Sequence, residues 1–493
     1  MPLILPGNVA SATAATGFNV DNSCRFNDAD TPYFSKSFGT PSDGKKWTFS
    51  CWVKGGDLGN DAPNSDRNLI GARIDSSNYT DLRYLALDRH MYWLDYTSGA
   101  AHEGRVEPRK LRDPAAWMHH VWACDTTQGT PANRMKFYIN GVDQGSLLVG
   151  AWGSYPDEDD ELTMNKSGAT VDVGRSPAGY YYWDGYMAEV VFIDGTQYAA
   201  SDFGEYDEDS PTIWKPKDIS GLTFGDNGFY LDFKDSANLG NDANGGTDLS
   251  ENNIAAVDQC LDSPTNNFCT MNPLENFIPA HTFSEGNNTI ATTDASETYT
   301  MSTFGVTKGK WYFEALLDGT TYSEFSQIGV ASTKGPAAGD YLGDTQTGYG
   351  YDNTGNYRKN DDDSIDIVSY GNTFTGGDII GVYLDLDNSK LYFGKNGTIQ
   401  NSGTGISITA AASALITGTY FFCVGDRHGD DAIWHCNFGN GSFSETAMSS
   451  GNADANGYGN FEYDPSAGGA SSFDSAAKNF LAICSKNLGS DGG

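Results

Sequence analysis

Residues 377–397 read Gly377-Asp-Ile-Ile-Gly-Val-Tyr-Leu-Asp-Leu-Asp-Asn-Ser-Lys-Leu-Tyr-Phe-Gly-Lys-Asn-Gly397. In an extended chain Ile380, Val382, Leu384 and Leu386 fall on one face, and Leu391 and Phe393 return along it. Asp387-Asn388 between the two runs and Asn396-Gly397 after them tolerate the backbone angles of tight turns. The stretch therefore predicts a β-hairpin, and the same texture recurs through the chain. In Trp47-Thr-Phe-Ser-Cys-Trp-Val-Lys54, residues Trp47, Phe49, Cys51 and Val53 share one face while Thr48, Ser50 and Lys54 share the other, with Trp52 breaking the alternation. Further strand-like runs lie at 84–87, 121–124, 135–140 and 186–193, the last two closed by Asn140-Gly141 and Asp194-Gly195. Helical periodicity is hard to find, and the expected class is all-β.

Composition agrees. The 493 residues include 59 glycines, and 13% are aromatic, the usage of a turn-rich β protein. Thirty Lys and Arg face 65 Asp and Glu, a net charge of −35, which repels phosphate backbones, so no nucleic-acid partner is expected. Nowhere do 18 apolar residues run together, so no membrane insertion is expected. The opening Met1-Pro-Leu-Ile-Leu-Pro6 lacks a basic segment and a long apolar run, which predicts no secretory signal and a reducing site of synthesis. The eight cysteines follow no metal-binding spacing. Most read as buried thiols, while Cys423 and Cys436 could meet if a hairpin joins their strands.

Along the chain, residues 1–237 form a first strand-rich block. Residues 238–278 read as a Gly/Asn-rich bridge, 279–440 as a second strand-rich block, and 441–493 as an irregular tail whose end, Phe480-Leu-Ala-Ile-Cys484, is apolar enough to pack back on a domain.

Catalytic patterns are missing from this texture. A glycoside hydrolase on such a scaffold needs two carboxylates aimed into a cleft from one strand. The nearest strings, Glu158-Asp-Asp-Glu161 and Glu205-Tyr-Asp-Glu-Asp209, sit in polar loops and read as solvated charge. No Ser/His/Asp arrangement or phosphate loop stands out, so no enzyme is expected. Calcium is the one cofactor these loops could hold, since it takes six to eight oxygens. The candidate ligands are Asp157, Asp159 and Asp160, with Asp361-Asp-Asp363 and Asp232, Asp235 and Asp242 as further acidic groups. Tyr180-Tyr-Tyr-Trp183 places four aromatics in a row, and alternation must leave some outward. Tyr180, Tyr182 and Trp183 are thus candidates for stacking on a sugar or covering a subunit interface.

Three resemblances accompany this reading. Ser23-Cys-Arg-Phe-Asn-Asp with Tyr33-Phe, Trp47 to Lys54, Trp117-Met-His-His-Val-Trp122, Lys136-Phe-Tyr-Ile-Asn-Gly141, Val173-Gly-Arg175 and Trp183-Asp-Gly-Tyr-Met-Ala-Glu-Val-Val-Phe192 follow in the order of concanavalin A-like jelly rolls of the LamG type, which this block resembles. It departs in the acidic insertion Asp157-Glu-Asp-Asp-Glu161 and in Asn140, where that family has Asp. Gly309-Lys-Trp-Tyr-Phe-Glu314, Ile328-Gly-Val-Ala331, Gly348-Tyr-Gly-Tyr-Asp352, the 377–397 hairpin and Phe438-Gly439 resemble the SPRY domain, a bent two-sheet sandwich. That resemblance places Tyr349, Asp352, Asn353, Tyr357 and Arg358 in ligand-facing loops. The whole chain, with the bridge Asp262-Ser-Pro-Thr-Asn-Asn-Phe-Cys-Thr-Met-Asn-Pro273, resembles structural proteins of tailed phages from marine bacteria. It implies a non-enzymatic virion-surface protein, a fibre, tail or capsid appendage made in the host cytoplasm. Its implied partners are other virion proteins, further copies of itself in a homo-oligomer, and a host-surface glycan or protein. The alternatives are a purely structural decoration or adaptor subunit, and a polysaccharide depolymerase.

Overall fold

The computed structural model describes residues 17–489 apart from 57–64, 88, 98, 107–109, 146–153, 276–280, 293–296, 321–324, 333–340, 361–364, 414–415, 417, 428–430 and 466–478. The candidate acidic run Asp361-Asp-Asp363 lies outside the described residues. Among the described residues the chain is almost entirely β, its helical content being short 3-10 or α turns of three residues each, five before residue 266 and three after it. It divides into two compact units, one within Thr13–Thr265 and the other built on Asn266–Gly493.

The first unit is a two-sheet sandwich. Its front sheet runs in the spatial order Val142–Asp143, Met135–Ile139, Met118–Asp125, Lys46–Gly55, Gly185–Asp194, Ser23–Phe26, Gln259–Cys260. Its back sheet runs Ser250–Asn252, Tyr33–Ser37, Thr170–Val173, Arg67–Asp75, Asn78–Leu85, His90–Thr97, Ala100–Arg105. The alternation read in Lys46–Gly55 holds: Trp47, Phe49, Cys51 and Val53 all lie in the core between the sheets, with Trp93, Trp122 and Phe192. Trp52, the residue that broke the pattern, enters a second apolar layer on the other face of the front sheet, with Trp117, Tyr186, Phe203 and Trp214. That face is covered by chain following residue 198, so the front strands are buried on both sides and the polar Thr48, Ser50 and Lys54 are buried there with Trp52. Asn140 (φ 47°) and Gly141 (φ 77°) form the expected turn with positive φ at both central residues.

The second unit is also a sandwich. One sheet runs Thr282–Ser284, Thr289–Ala291, Ile433–Asn437, Lys310–Leu317, Ile379–Asp385, Lys390–Lys395, Thr398–Ile399, and the other Thr298–Met301, Phe421–Asp426, Ser326–Ala331, Gly348–Asp352, Asn356–Asn360, Ile365–Ser369. The 377–397 hairpin forms with Val382 opposite Phe393 and Leu384 opposite Leu391. Its turn puts positive φ on Ser389 (52°), one residue beyond the Asp-Asn pair that was read as the turn.

Three differences from the sequence reading have physical causes. The 238–278 stretch is shared out: Ser250–Asn252 pairs with Tyr33–Ser37 and Gln259–Cys260 with Ser23–Phe26 in the first unit, while Cys269 N–H donates to Ile483 O in the second. Backbone pairing on existing edges holds these residues in place where their own apolar content would not. The tail is likewise ordered where it is described. Leu481–Ala482 adds in parallel beside Lys310–Leu317, and Phe461 and Phe480 set their rings on Tyr312 (5.0 Å) and Tyr383 (5.2 Å). Cys423 and Cys436 do not face each other across a hairpin, because the chain crosses between sheets: Phe421–Asp426 pairs with Ser326–Ala331, and Ile433–Asn437 with Lys310–Leu317. All eight cysteines are free and buried.

Candidate functional site

The back sheet of the first unit turns Phe34, Ile70, Ala72, Leu82, Tyr84 and Trp93 inward, so the alternate residues of the same strands must face out. Register aligns these outward residues in transverse rows. The central row is Ser35, Asp172, Gly71, Asp81, Leu94, Glu103; one flanking row holds Arg73, Tyr79 and Tyr96, the other Asn68, Arg83 and Tyr92. Tyr79 and Tyr96 stack (5.4 Å between centroids, 23° between planes), with Arg73 5.8 Å from the Tyr79 centroid. The Arg83 guanidinium lies between the rings of Tyr92 (5.1 Å) and Tyr181 (4.7 Å). Arg175 Cζ stands over the Tyr33 ring, 3.2 Å from its centroid, with Nε donating to Asp172 Oδ2 (2.8 Å) and Nη1 to the Tyr182 hydroxyl (3.2 Å). Such stacking suits a planar, weakly hydrated cation and fixes the orientation of each ring.

The loop carrying Tyr180 to Tyr182 is folded onto this face. Asn68 N–H donates to Tyr181 O (2.8 Å), Ser176 N–H to Tyr180 O (3.0 Å), and the turn uses positive φ at Gly179 (89°) and at Tyr181 (61°). A tyrosine in the left-handed region is strained, and the strain sets its ring against Arg83. Tyr180 is 47% exposed and packs edge-on to Tyr181. Beneath the loop Asp81 is 2% exposed, its carboxyl pushed up by burial against the pull of Arg83. Asp81 Oδ1 and Asn68 Oδ1 are buried acceptors without a hydrogen-bond partner among the described residues. Burial also raises the phenols of Tyr79, Tyr92 and Tyr181, so the rings carry no charge near neutrality.

The expected site residues divide. Tyr180 and Tyr182 join this face. Trp183, expected at an exposed loop tip, is instead 3% exposed inside the sandwich core, because its N–H returns to Gly174 O (2.7 Å) and the chain there enters the central strand Gly185–Asp194. Asp159 is engaged by Lys45 Nζ (2.9 Å), its neighbour Glu158 by Arg134 (3.2 Å), and Asp160 accepts from the Asp157 N–H (3.0 Å), so these carboxylates point to separate donors. Asp242 accepts from Tyr230 N–H and Lys36, while Asp232 and Asp235 close turns of their own.

The SPRY-loop residues are internal fasteners. Asp352 is fully buried; its Oδ2 receives Arg358 Nε (2.7 Å), and its Oδ1 receives Thr354 N–H and Oγ1–H and Asn356 N–H, closing the turn between two strands. Arg358 is 3% exposed. The Tyr349 hydroxyl accepts from Thr409 N–H (2.9 Å), Asn353 lies in a backbone ladder with Ser326 and Phe374, and Tyr357 is half-buried, edge-on to Tyr370.

One pair that sequence did not suggest resembles catalytic machinery. Ser50 Oγ lies 2.8 Å from His119 Nε2, close to Glu189, whose buried carboxyl is pushed up to about 7. Trp214 Nε1–H, which can only donate, points at His119 Nδ1 (3.0 Å), and burial lowers this imidazole to about 3. The neutral ring therefore carries its proton on Nε2 and donates it to Ser50, the reverse of what a general base must do.

Residues 310–423, within the second unit, match the SPRY domain family. The ATP-dependent RNA helicase DDX1 of Xenopus laevis is 38% identical over 96 residues, 20% of this chain and 12% of that protein, so the chain spans only a small part of this relative. The solved SPRY domain of human HERC1 is 17% identical over 36% of this chain and 98% of its own length, with a TM-score of 0.27. A putative carbohydrate binding protein from Bacteroides ovatus is 16% identical, covering 48% of this chain and 59% of its own, with a TM-score of 0.31. The chain thus carries a SPRY domain in an all-β, sandwich-built architecture.

Proposed function

We propose that this chain is a non-enzymatic recognition protein that binds glycan on the outer face of the first unit's back sheet. The carrying observation is the aligned set of uncharged tyrosine rings, Tyr79, Tyr92, Tyr96, Tyr180 and Tyr181, locked by Arg73 and Arg83. A pyranose presents an apolar C–H face and a rim of hydroxyls. Rigid partly exposed rings supply area for the first, and the arginines and Glu103 supply partners for the second. Each ring contributes about 0.5–1.5 kcal/mol beyond its area, so a single site is weak. A setting in which many copies act together makes weak sites useful, and the resemblance to phage structural proteins supports a virion surface as that setting, with a host-surface glycan as target.

A second reading, an adaptor that contacts other virion proteins or further copies of itself, is favoured by the edge strand Ile365–Ser369. All five of its residues are exposed, Ile367 by 56%. The experiment is titration of the full chain with panels of neutral and acidic oligosaccharides, with Tyr96→Ala/Tyr180→Ala beside the parent. Loss of two rings should weaken binding by about 5- to 150-fold with folding unchanged. Equal binding by parent and double variant would overturn the assignment of the face.

A further inference from the structure

Lys54 stands on the outer face of the front sheet, opposite Tyr186, and its Nζ lies 2.7 Å from Asp262 Oδ2. Both side chains are fully buried, and they come from positions 208 residues apart. Trp52, Trp117, Tyr186, Val20 and Cys260 belong to the apolar layer on this face, and the Tyr186 ring centroid lies 5.8 Å from Nζ. Trp117 Nε1–H donates to the other carboxylate oxygen, Asp262 Oδ1, at 2.8 Å. The segment holding Asp262 is pinned next door, Ser263 Oγ–H donating to Val20 O and Val20 N–H to Thr265 Oγ1.

Two opposite charges taken wholly out of water cost several kcal/mol each, and their attraction offsets this only in part. An amide forms from an amine and a carboxyl group, so the step needs one proton to pass from Nζ to Oδ2, which lies 2.7 Å away. Burial holds the two side chains in contact, so the reacting groups are already brought together and need not find each other from solution. Trp117 donates to the oxygen on which negative charge would grow as nitrogen adds, the position where a fixed donor is worth most.

We infer that Lys54 and Asp262 condense into an intramolecular amide cross-link. Nζ adds to Cγ, the Cγ–Oδ2 bond breaks, and Oδ2 leaves as water with two of the three ammonium protons; the third stays on the amide nitrogen. Oδ1 remains as the amide carbonyl, still held by Trp117. The reaction is neither an oxidation nor a reduction and takes no co-reactant. The bond closes a covalent loop from the central strand of the front sheet to the last segment of the unit. It would do so in a protein whose eight cysteines are all free and so contribute no covalent tie.

The test is mass spectrometry of the full chain, purified folded, incubated, then denatured. The expected product is one water lighter than its sequence, and trypsin should fail to cut after Lys54 and release a branched peptide joining the Lys54 and Asp262 segments. The branched peptide separates this product from water loss at an Asp-Gly turn. Lys54→Arg should restore the full mass, and Asp262→Asn should give the same branched peptide by loss of ammonia. A parent chain that keeps its full mass after incubation, with normal cleavage after Lys54, would overturn the proposal whether or not either variant folds.

Discussion

Replacing Asp352 by Ala separates a fastening role from a ligand-binding one. Asp352 has no exposed surface, and its two oxygens take four donors: Arg358 Nε at 2.7 Å, Thr354 Oγ1 at 2.6 Å, Thr354 N at 3.1 Å and Asn356 N at 3.2 Å. The variant leaves a guanidinium 3% exposed with its buried partner gone. Breaking a buried pair in this one-sided way costs about 3–5 kcal/mol. The turn's backbone N–H groups lose less, because water reaches the half-buried residues there. In a domain of this size 1 kcal/mol moves the melting temperature by roughly 2–4 °C, so the second unit should melt about 6–20 °C lower. Calorimetry of the full chain is the suitable assay, since each unit has its own core and gives its own transition. The first unit's transition and its oligosaccharide binding should not move. A loss below about 1 kcal/mol would refute the argument, for it would mean that Arg358 finds water or another partner and that the pair is free to meet a ligand.

Three further outcomes follow from the same reasoning. Glu189 is held up to about 7 by burial, so between the ordinary Glu range near 4.5 and about 7 the unfolded chain gives up a proton that the folded chain keeps; its contribution is complete below that window and is lost as pH rises through it. Thermal melts at pH 4.5 and 7.5 should show this loss, at most about 3 kcal/mol, and Glu189→Gln should remove that share of the slope; an unchanged slope would show that the carboxyl is solvated. A thiol reagent should find almost no reactive cysteine in the native chain under non-oxidising conditions and eight in denaturant, whereas fewer than eight would reveal a disulfide. Phe480→Ala, which removes a fully buried ring from Tyr383, should cost about 3–5 kcal/mol and make the segment after Asn452 the first site of limited proteolysis; protection equal to the parent would place the ring outside the core.

Much of the fold is written locally. Trp47 to Val53 carries its face in its own alternation, and Asn140-Gly141 and Asn396-Gly397 carry their turns in residues that accept positive φ. What one strand cannot reveal is which strand lies beside it. The tyrosine face depends on Arg73 meeting Tyr79 and Tyr79 meeting Tyr96 across strands, a register no single segment encodes. A local hint was available in Tyr92-Trp-Leu-Asp-Tyr96, where both faces of one strand carry aromatic rings. Trp183 misleads for a related reason: four aromatics in a row announce that some are exposed without saying which, and the return of the chain into a central strand takes Trp183 inward. For Asp352 the signal was present in Asp-Asn-Thr-Gly355, an acid two residues before a threonine whose N–H it can accept, closing on a glycine with φ of 88°. Turn chemistry of that kind argues for a fastener ahead of a ligand contact.

The parallel addition of Leu481–Ala482 beside Lys310–Leu317 has a bearing on the timing of biosynthesis. A ribosome delivers Lys310–Leu317 long before its neighbour at 481–482, and for that interval Tyr312 and Tyr383 lack the rings of Phe461 and Phe480 that later cover them. The second sandwich is therefore a late closer, with an apolar surface exposed on the nascent chain until residue 482 has cleared the exit tunnel, while the first, complete by Thr265, can fold ahead of it. Slow translation of the 440–480 stretch would lengthen the exposure, and a holdase chaperone binding there would be met by the second unit alone.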